Sequence, residues 1–330
     1  MVDLLGRPIR DLRVSVTDSC NFRCTYCLPA EAFPQNYAFL KPDQLLRFSE
    51  IELAVAALIP LGLQKVKITG GEPLLRPLVV ELIALLKRHW PTLEVALITN
   101  GHHLGPLVKR LRQAGLDSVT VSLDALDPEV FGRITGNDHR LDTVLAGIEE
   151  VHREFGQVKI NTVLIRGVND DQVEPLAKYF WRPGFALRFI EYMDVGSLNR
   201  WRRDQVVTGK EVLKRLQRMG QLVPLPKRHS GETSERWAWS ETDGEVGFIN
   251  SVSRPFCADC VRVRLSADGK LYTCLFSNRA TDLKPALQAG KLAEVTQLIS
   301  SVWQKRSDRY SEQRQSLAGT DRQEMFTLGG

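Results

Sequence analysis

The sequence contains no apolar run long enough to cross a bilayer, so a membrane-spanning helix is not expected. Its opening, MVDLLGRPIRDLRVSV, lacks a basic stretch followed by an apolar one, so neither is a secretory signal. No internal repeat or low-complexity tract is found in the 330 residues. The positive excess is small, +5, which suits an anionic substrate or a mildly basic surface and does not call for a nucleic-acid partner. Cysteine is scarce: six in all, every one in one of two short groups, with none to spare. The expected compartment is cytoplasmic, where thiols stay reduced, so these cysteines read as metal ligands rather than disulfides.

The apolar and charged fractions, 43% and 25%, are those of an ordinary globular chain with a sizeable core. Short β-type runs alternate with helical ones from residue 10 to about 190. The strands expected are 12–16, 65–69, 94–99, 118–122, 158–165 and 186–190. Helices are expected near 78–88, 104–114, 141–155 and 172–180, and another from Ser49, with Glu52 three residues on as a capping box. This repetition predicts an α/β fold with a parallel sheet, an open or incomplete (β/α) TIM-like barrel. Residues 1–195 form that unit, and 196–330 form a C-terminal extension.

The extension begins with a basic loop at Arg200, Arg202 and Arg203, followed by a helix capped by Thr208 and Glu211 and reaching about Met219. Residues 224–244 read as loop. A short strand near 246–249, a hairpin turning at Asp268–Gly269, two helices near 283–287 and 292–304, and an extended tail MFTLGG follow.

Side chains alternate across a strand. Arg13, Ser15 and Thr17 therefore share one face of the first strand, as do Lys65, Lys67 and Thr69 in the second. The same face holds Ser118, Thr120 and Ser122 in the fourth, Lys159 and Asn161 in the fifth, and Arg188 in the sixth. With the apolar faces against helices, these residues line a polar, cationic lumen that leaves room for a large anion. A sheet with one solvated face is the alternative.

Cys20, Cys24 and Cys27 follow the first strand at the end where parallel barrels place their chemistry. Three thiolates at this spacing can hold three corners of a cubane and leave the fourth iron open. Zinc prefers a closed set of four, and no fourth Cys or His is nearby. Cys257, Cys260 and Cys274 form the second group, again with three ligands. It reads as a second [4Fe–4S] cluster or as a zinc site completed by His229. Between Cys260 and Cys274, the run VRVRL places Arg262 and Arg264 on one face, and paired guanidiniums suit phosphate oxygens.

The C-x3-C-x2-C group with Tyr26 before its last cysteine, together with Gly70-Gly71-Glu72-Pro73 after the second strand, resembles the signature of the radical S-adenosylmethionine superfamily. The second cysteine group, its Arg-x-Arg, the runs GRPIRDLR at 6–13 and FIEYMDVG at 189–196, and the double-glycine end make nearly the whole chain similar to that superfamily's GTP 3′,8-cyclase family of molybdenum cofactor biosynthesis.

The resemblance implies S-adenosylmethionine and two [4Fe–4S] clusters as cofactors. Tyr26, Gly70, Gly71, Glu72, Thr99, Asn100, Ser122 and Met193 would hold the S-adenosylmethionine. Arg13, Lys67, Lys159, Arg262 and Arg264 would hold GTP, with Lys65 and Arg188 as helpers. Gly329 and Gly330 would enter the site, where only a chain without side chains fits.

The activity implied is cyclisation of GTP to (8S)-3′,8-cyclo-7,8-dihydroguanosine 5′-triphosphate. A 5′-deoxyadenosyl radical takes hydrogen from C3′ of GTP, and the resulting carbon radical attacks C8. The partners implied are an electron donor such as flavodoxin or ferredoxin, a downstream cyclic pyranopterin monophosphate synthase and a second copy of the chain. Two positions depart from the family pattern: Lys67 where arginine is usual, which loses the bidentate fork, and Ile98 where a threonine is usual, which loses a hydroxyl.

Overall fold

A computed structural model describes residues 1–330 except 35, 137–139, 315, 317–321 and 330. Twelve strands form one sheet: β1 (Asp11–Ser15), β2 (Lys65–Thr69), β3 (Glu94–Thr99), β4 (Ser118–Ser122), β5 (Val158–Leu164), β6 (Phe185–Glu191), β7 (Leu222–Leu225), β8 (Glu235–Trp239), β9 (Glu245–Ile249), β10 (Arg262–Leu265), β11 (Lys270–Tyr272) and β12 (Thr281–Asp282). Their spatial order is β12-β11-β10-β1-β2-β3-β4-β5-β6-β9-β8-β7, so the sheet does not close. Strands β1 to β6 are parallel neighbours, joined through helical crossovers. The barrel is thus of the expected incomplete kind. The residues after 195 extend it on both flanks: β10 lies parallel to β1 and β9 parallel to β6.

The apolar faces do what alternation requires. Leu12, Val14, Val66, Ile68, Val95, Leu97, Val121 and Ile160 are completely shielded from solvent. Each such side chain contributes about 1.5–3 kcal/mol on burial. The helix Leu141–Phe155 offers Leu141, Val144, Ile148 and Val151 at helical spacing and ends at Gly156, whose φ of 71° suits a residue without Cβ. Thr208 and Glu211 form the expected capping box on the helix Gly209–Leu216.

Three local expectations are corrected, and one helix is added. The first helix begins at Phe48, so Ser49 lies inside it; the Glu50 carboxylate, not Glu52, turns back to accept from Arg47 N–H at 2.7 Å. Residues 224–244 are not all loop. β7 carries Pro224 on the outermost strand of the sheet, where a missing N–H is tolerated, and β8 pairs with it. The helix Pro128–Thr135 was signalled by Asp127, whose carboxylate accepts from Glu129 and Val130 N–H, but was not anticipated. The tail is not extended: Met325–Leu328 make one helical turn. Among the described residues, no helix is long and apolar enough to cross a membrane.

Candidate active site

The first cysteine group lies in the loop that leaves β1. Its backbone is pinned to the helix Pro128–Thr135, with Arg23 N–H donating to Thr135 at 2.7 Å and Thr25 N–H to Ile134 at 3.0 Å. On the other side it meets the turn after β2. Gly71 N–H donates to Thr17 and Glu72 N–H to Ser19, both at 2.8 Å. A Cβ at Gly70 would sit 2.5 Å from the Thr17 carbonyl, and one at Gly71 2.3 Å from that of Ser19. This close approach of two backbones is why glycines stand there.

Glu72 is fully buried and organises the next turn. Its carboxylate accepts from Thr99 Oγ1 and Asn100 N–H at 2.7 Å each and from Leu74 N–H at 3.0 Å. Burial pushes it up to about 7 against these bonds. Asn100 in turn donates to Asn21 at 2.8 Å and approaches Cys20 Sγ at 3.9 Å. Tyr26 donates to the buried Asp124 at 2.8 Å. Ser122 ends β4 beside Asn161.

The three thiols are near enough to act on one another electrostatically. Burial and the nearby Glu72 push Cys20 up to about 12. Burial and the neighbouring thiols push Cys24 well above the ordinary range, and burial with Cys20 and acidic neighbours raises Cys27 as well. Arg23, whose Nη1 donates to the Cys20 carbonyl at 2.8 Å, offsets only part of this at Cys20. Three buried thiols so disfavoured as thiolates fit an iron–sulfur cubane, whose core supplies the balancing charge.

Across the lumen, strand register builds rows of charge. Arg262, Asp11, Lys65 and Glu94 are neighbours in one row; Arg264, Arg13 and Lys67 form the next; Ser15 and Thr69 come after them towards the strands' C-terminal ends. Lys67 pairs with Asp11 at 3.1 Å and Lys65 with Glu94. Lys159 and Arg188 lie on β5 and β6, and burial lowers both, Lys159 to about 8.

A partly open cavity is lined by all three cysteines of the second group and by Arg7, Arg13, Arg262, Arg264 and Arg306, with Met193 and Asn161 also on its wall. Four of the expected substrate residues, Lys65, Lys67, Lys159 and Arg188, stand outside that lining. Buried nitrogens on Arg7, Arg13 and Arg188, and Oδ1 of Asn161, have no hydrogen-bond partner in the protein. The unsatisfied guanidinium donors among these fit a polyanion, while Asn161 Oδ1 can only accept.

Sequence reasoning missed two of these arginines. Arg7 Nη1 donates to the carbonyls of Cys257 and Asp308 at 2.9 Å each, and Arg306 Nη1 to that of Cys260 at 2.8 Å. Arg7 belongs to the quoted 6–13 run, and Arg306 had no sequence signal. Burial alone would raise the Cys260 thiol; Arg262, 3.4 Å from its sulfur, and Arg306 bring it down to about 6. Burial pushes Cys274 up to about 12. A thiolate already favoured by two guanidiniums fits a metal cluster as well. Among the described residues, no three His, Cys, Asp or Glu side chains close on a point able to hold one metal ion, whereas a cubane takes each thiolate at a separate iron. His229 is exposed, with Nδ1 3.0 Å from the Ser230 carbonyl.

The tail reaches the lumen. Phe326 is buried against Phe33, Tyr37 and Phe39 of the first cysteine loop, ring centres 5.1, 6.2 and 6.3 Å away. Arg264 Nη1 donates to the carbonyls of Leu328 at 3.1 Å and Gly329 at 2.7 Å. Gly329 has a φ of 63°, and a Cβ on it would fall 1.8 Å from Thr69 Oγ1. Gly330 lies outside the described residues.

Residues 14–180 match the Radical SAM superfamily, and residues 185–312 match Molybdenum Cofactor Synthesis C. A GTP 3′,8-cyclase of Xanthomonas axonopodis pv. citri (strain 306) is 48% identical over 332 residues, covering 100% of this chain and 99% of that protein. One of Aquifex aeolicus (strain VF5) is 42% identical, with 100% of each chain covered. The crystal structure of Streptococcus suis SuiB bound to S-adenosylmethionine has a TM-score of 0.60 at 14% identity, covering 87% of this chain and 65% of that one, a likeness of fold. By motif, fold and full-length similarity alike, the chain belongs to the GTP 3′,8-cyclase family of the radical S-adenosylmethionine superfamily.

Proposed function

We propose that this enzyme carries out the first step of molybdenum cofactor biosynthesis, converting GTP to (8S)-3′,8-cyclo-7,8-dihydroguanosine 5′-triphosphate. The observation that carries the reading is the cavity where three cysteines meet five arginines. It supports a nucleotide triphosphate beside a second [4Fe–4S] cluster held by Cys257, Cys260 and Cys274. Cys20, Cys24 and Cys27 hold the first cluster. When bound with S-adenosylmethionine, that cluster supplies the electron that generates a 5′-deoxyadenosyl radical.

The chain's own residues bind, orient and shield. Gly70 and Gly71 leave the backbone bare at the cofactor's amino-acid end. Glu72 holds Thr99 and Asn100 in place, Tyr26 is fixed by Asp124, and Ser122 completes that wall, with Met193 reaching the cofactor from the wall of the arginine cavity. Arg13, Arg262 and Arg264 take the triphosphate, with Lys65, Lys67, Lys159 and Arg188 spreading positive potential through the lumen. Gly329, held against Thr69 and Arg264, brings the double-glycine end to the lumen. A low-potential carrier such as flavodoxin or ferredoxin supplies electrons. The product passes to cyclic pyranopterin monophosphate synthase, and a homodimer is inferred by family analogy.

The test is anaerobic. Protein reconstituted with iron and sulfide is given S-adenosylmethionine, reductant and GTP, and the products are identified by mass. Formation of 5′-deoxyadenosine with a GTP-specific cyclised nucleotide supports the reading. 5′-Deoxyadenosine with unchanged GTP removes the substrate assignment, and neither product from cluster-loaded protein removes the activity.

A further inference from the structure

The residue that joins the most distant parts of this site has no place in the proposed chemistry. Asp194 follows β6 by three positions and is only 7% exposed. Its carboxylate receives three side chains from the last quarter-hundred residues of the chain. Tyr310 O–H donates to Oδ2 at 2.6 Å, Arg314 Nε to Oδ1 at 2.8 Å, and Arg322 Nη1 to Oδ2 at 2.8 Å. Arg322 also donates to the Asp194 backbone carbonyl. The two guanidiniums flank the Tyr310 ring, which stacks on Phe276 at 4.3 Å, two residues beyond Cys274. Two residues after Asp194, Gly196 leaves room for the Glu324 carboxylate, which accepts from Ser197 N–H at 2.8 Å; a Cβ on Gly196 would meet it at 2.1 Å.

From Arg322 the chain has seven residues to reach Gly329 beneath Thr69, where a misplacement of one side chain's width is not tolerated. We infer that Asp194 is a positioning residue, an ionic latch that sets the reach of the C-terminal segment so that Gly329 docks against Thr69 and Arg264. This rests on the reading of the tail as part of the site. The latch acts on the tail and touches neither ligand. A buried carboxylate shared by two guanidiniums is strongly coupled to them, and its removal leaves both charges uncompensated.

The test uses the reconstituted full-length enzyme and four variants: Asp194→Asn, Arg322→Gln, which keeps the Tyr310 and Arg314 contacts should the first fail to fold, a deletion of Gly329 and Gly330, and Asp194→Asn combined with that deletion. Hydrogen exchange over residues 322–329 is read alongside kcat and KM for GTP. In both substituted proteins, exchange in that segment should rise, and kcat should fall roughly 100-fold with Asp194→Asn, while KM moves by less than about threefold. Combining Asp194→Asn with the deletion should bring no further loss beyond the deletion alone. Unchanged exchange in 322–329, or losses that multiply in the combined variant, would overturn the latch. Full activity in the deletion alone would instead overturn the tail's place in the site, and the exchange result would still judge Asp194.

Discussion

The two cysteine sites each hold three half-buried cysteines, but their surroundings carry opposite charge. Around Cys20, Cys24 and Cys27 the acidic neighbours Glu72, Asp124 and Glu324 add to burial in raising the thiols, against the Arg23 cation beside Cys20. Around Cys257, Cys260 and Cys274 stand Arg7, Arg13, Arg262, Arg264 and Arg306. The proposed ligands differ in the same sense. S-adenosylmethionine brings a sulfonium and an ammonium, and GTP brings a triphosphate. One lumen thereby offers two basins of opposite potential, and each ligand is repelled from the basin meant for the other.

The strongest way to break this comparison is to remove one thiol from each side. Cys24→Ala should abolish 5′-deoxyadenosine formation and reduce iron from about eight to about four per chain. Cys257→Ala should show the same iron loss but continue to make 5′-deoxyadenosine while losing the cyclised nucleotide. Identical behaviour of the two variants would mean that the sites do not divide the work.

Next in size is the arginine pair. Replacing Arg262 and Arg264 together with alanine removes two charge-assisted donors, and GTP binding should weaken by roughly 100-fold or more, with S-adenosylmethionine affinity unchanged. Isothermal titration with each ligand separates the two effects. Arg264→Ala alone should also free the tail, because that guanidinium holds the Leu328 and Gly329 carbonyls.

Lys67 sharpens the comparison through pH. Burial holds it down to about 7, from an ordinary 10.5, despite Asp11. An arriving polyanion favours the ammonium form, so GTP binding takes up a proton above pH 7. Affinity should therefore fall as pH rises from about 7 to 9, by up to tenfold per unit from this group. Lys67→Arg, which restores the residue usual in the family, should flatten that slope, since arginine does not deprotonate there. An equally steep slope in the variant would remove Lys67 as the source of the pH dependence.

The smallest effect is expected on the first side. Tyr26→Phe leaves the buried Asp124 without one of its donors and should lower the stability of the cluster-free protein by about 1–3 kcal/mol, read by denaturant titration.

Much of the candidate site was legible in the sequence because it depends on short-range pattern. Cys20, Cys24 and Cys27 share one loop, and alternation alone put Arg13, Lys67 and Arg264 on the lumen face. Other parts were hidden. Nothing near Arg306 marks it as a partner of Cys260, and the Ser49–Glu52 cap signature lost to the Arg47–Glu50 pair two residues earlier. β8 was obscured because its charged and aromatic residues sit in a stretch whose composition otherwise reads as loop.

By itself, the sequence determined the strand faces, the spacing of the cluster ligands, the turn at Asp268–Gly269 and the bare backbone at Gly70–Gly71, since each follows from the geometry of a few consecutive residues. Tertiary structure alone decided the charge around the second cysteine site and the reach of the tail. Arg7 meets Cys257 across 250 positions and Asp308 across 301, and Asp194 meets Arg322 across 128. Such contacts are selected by the packing of the whole sheet, because only folding brings their partners into one buried volume where an unpaired charge is too unfavourable to persist.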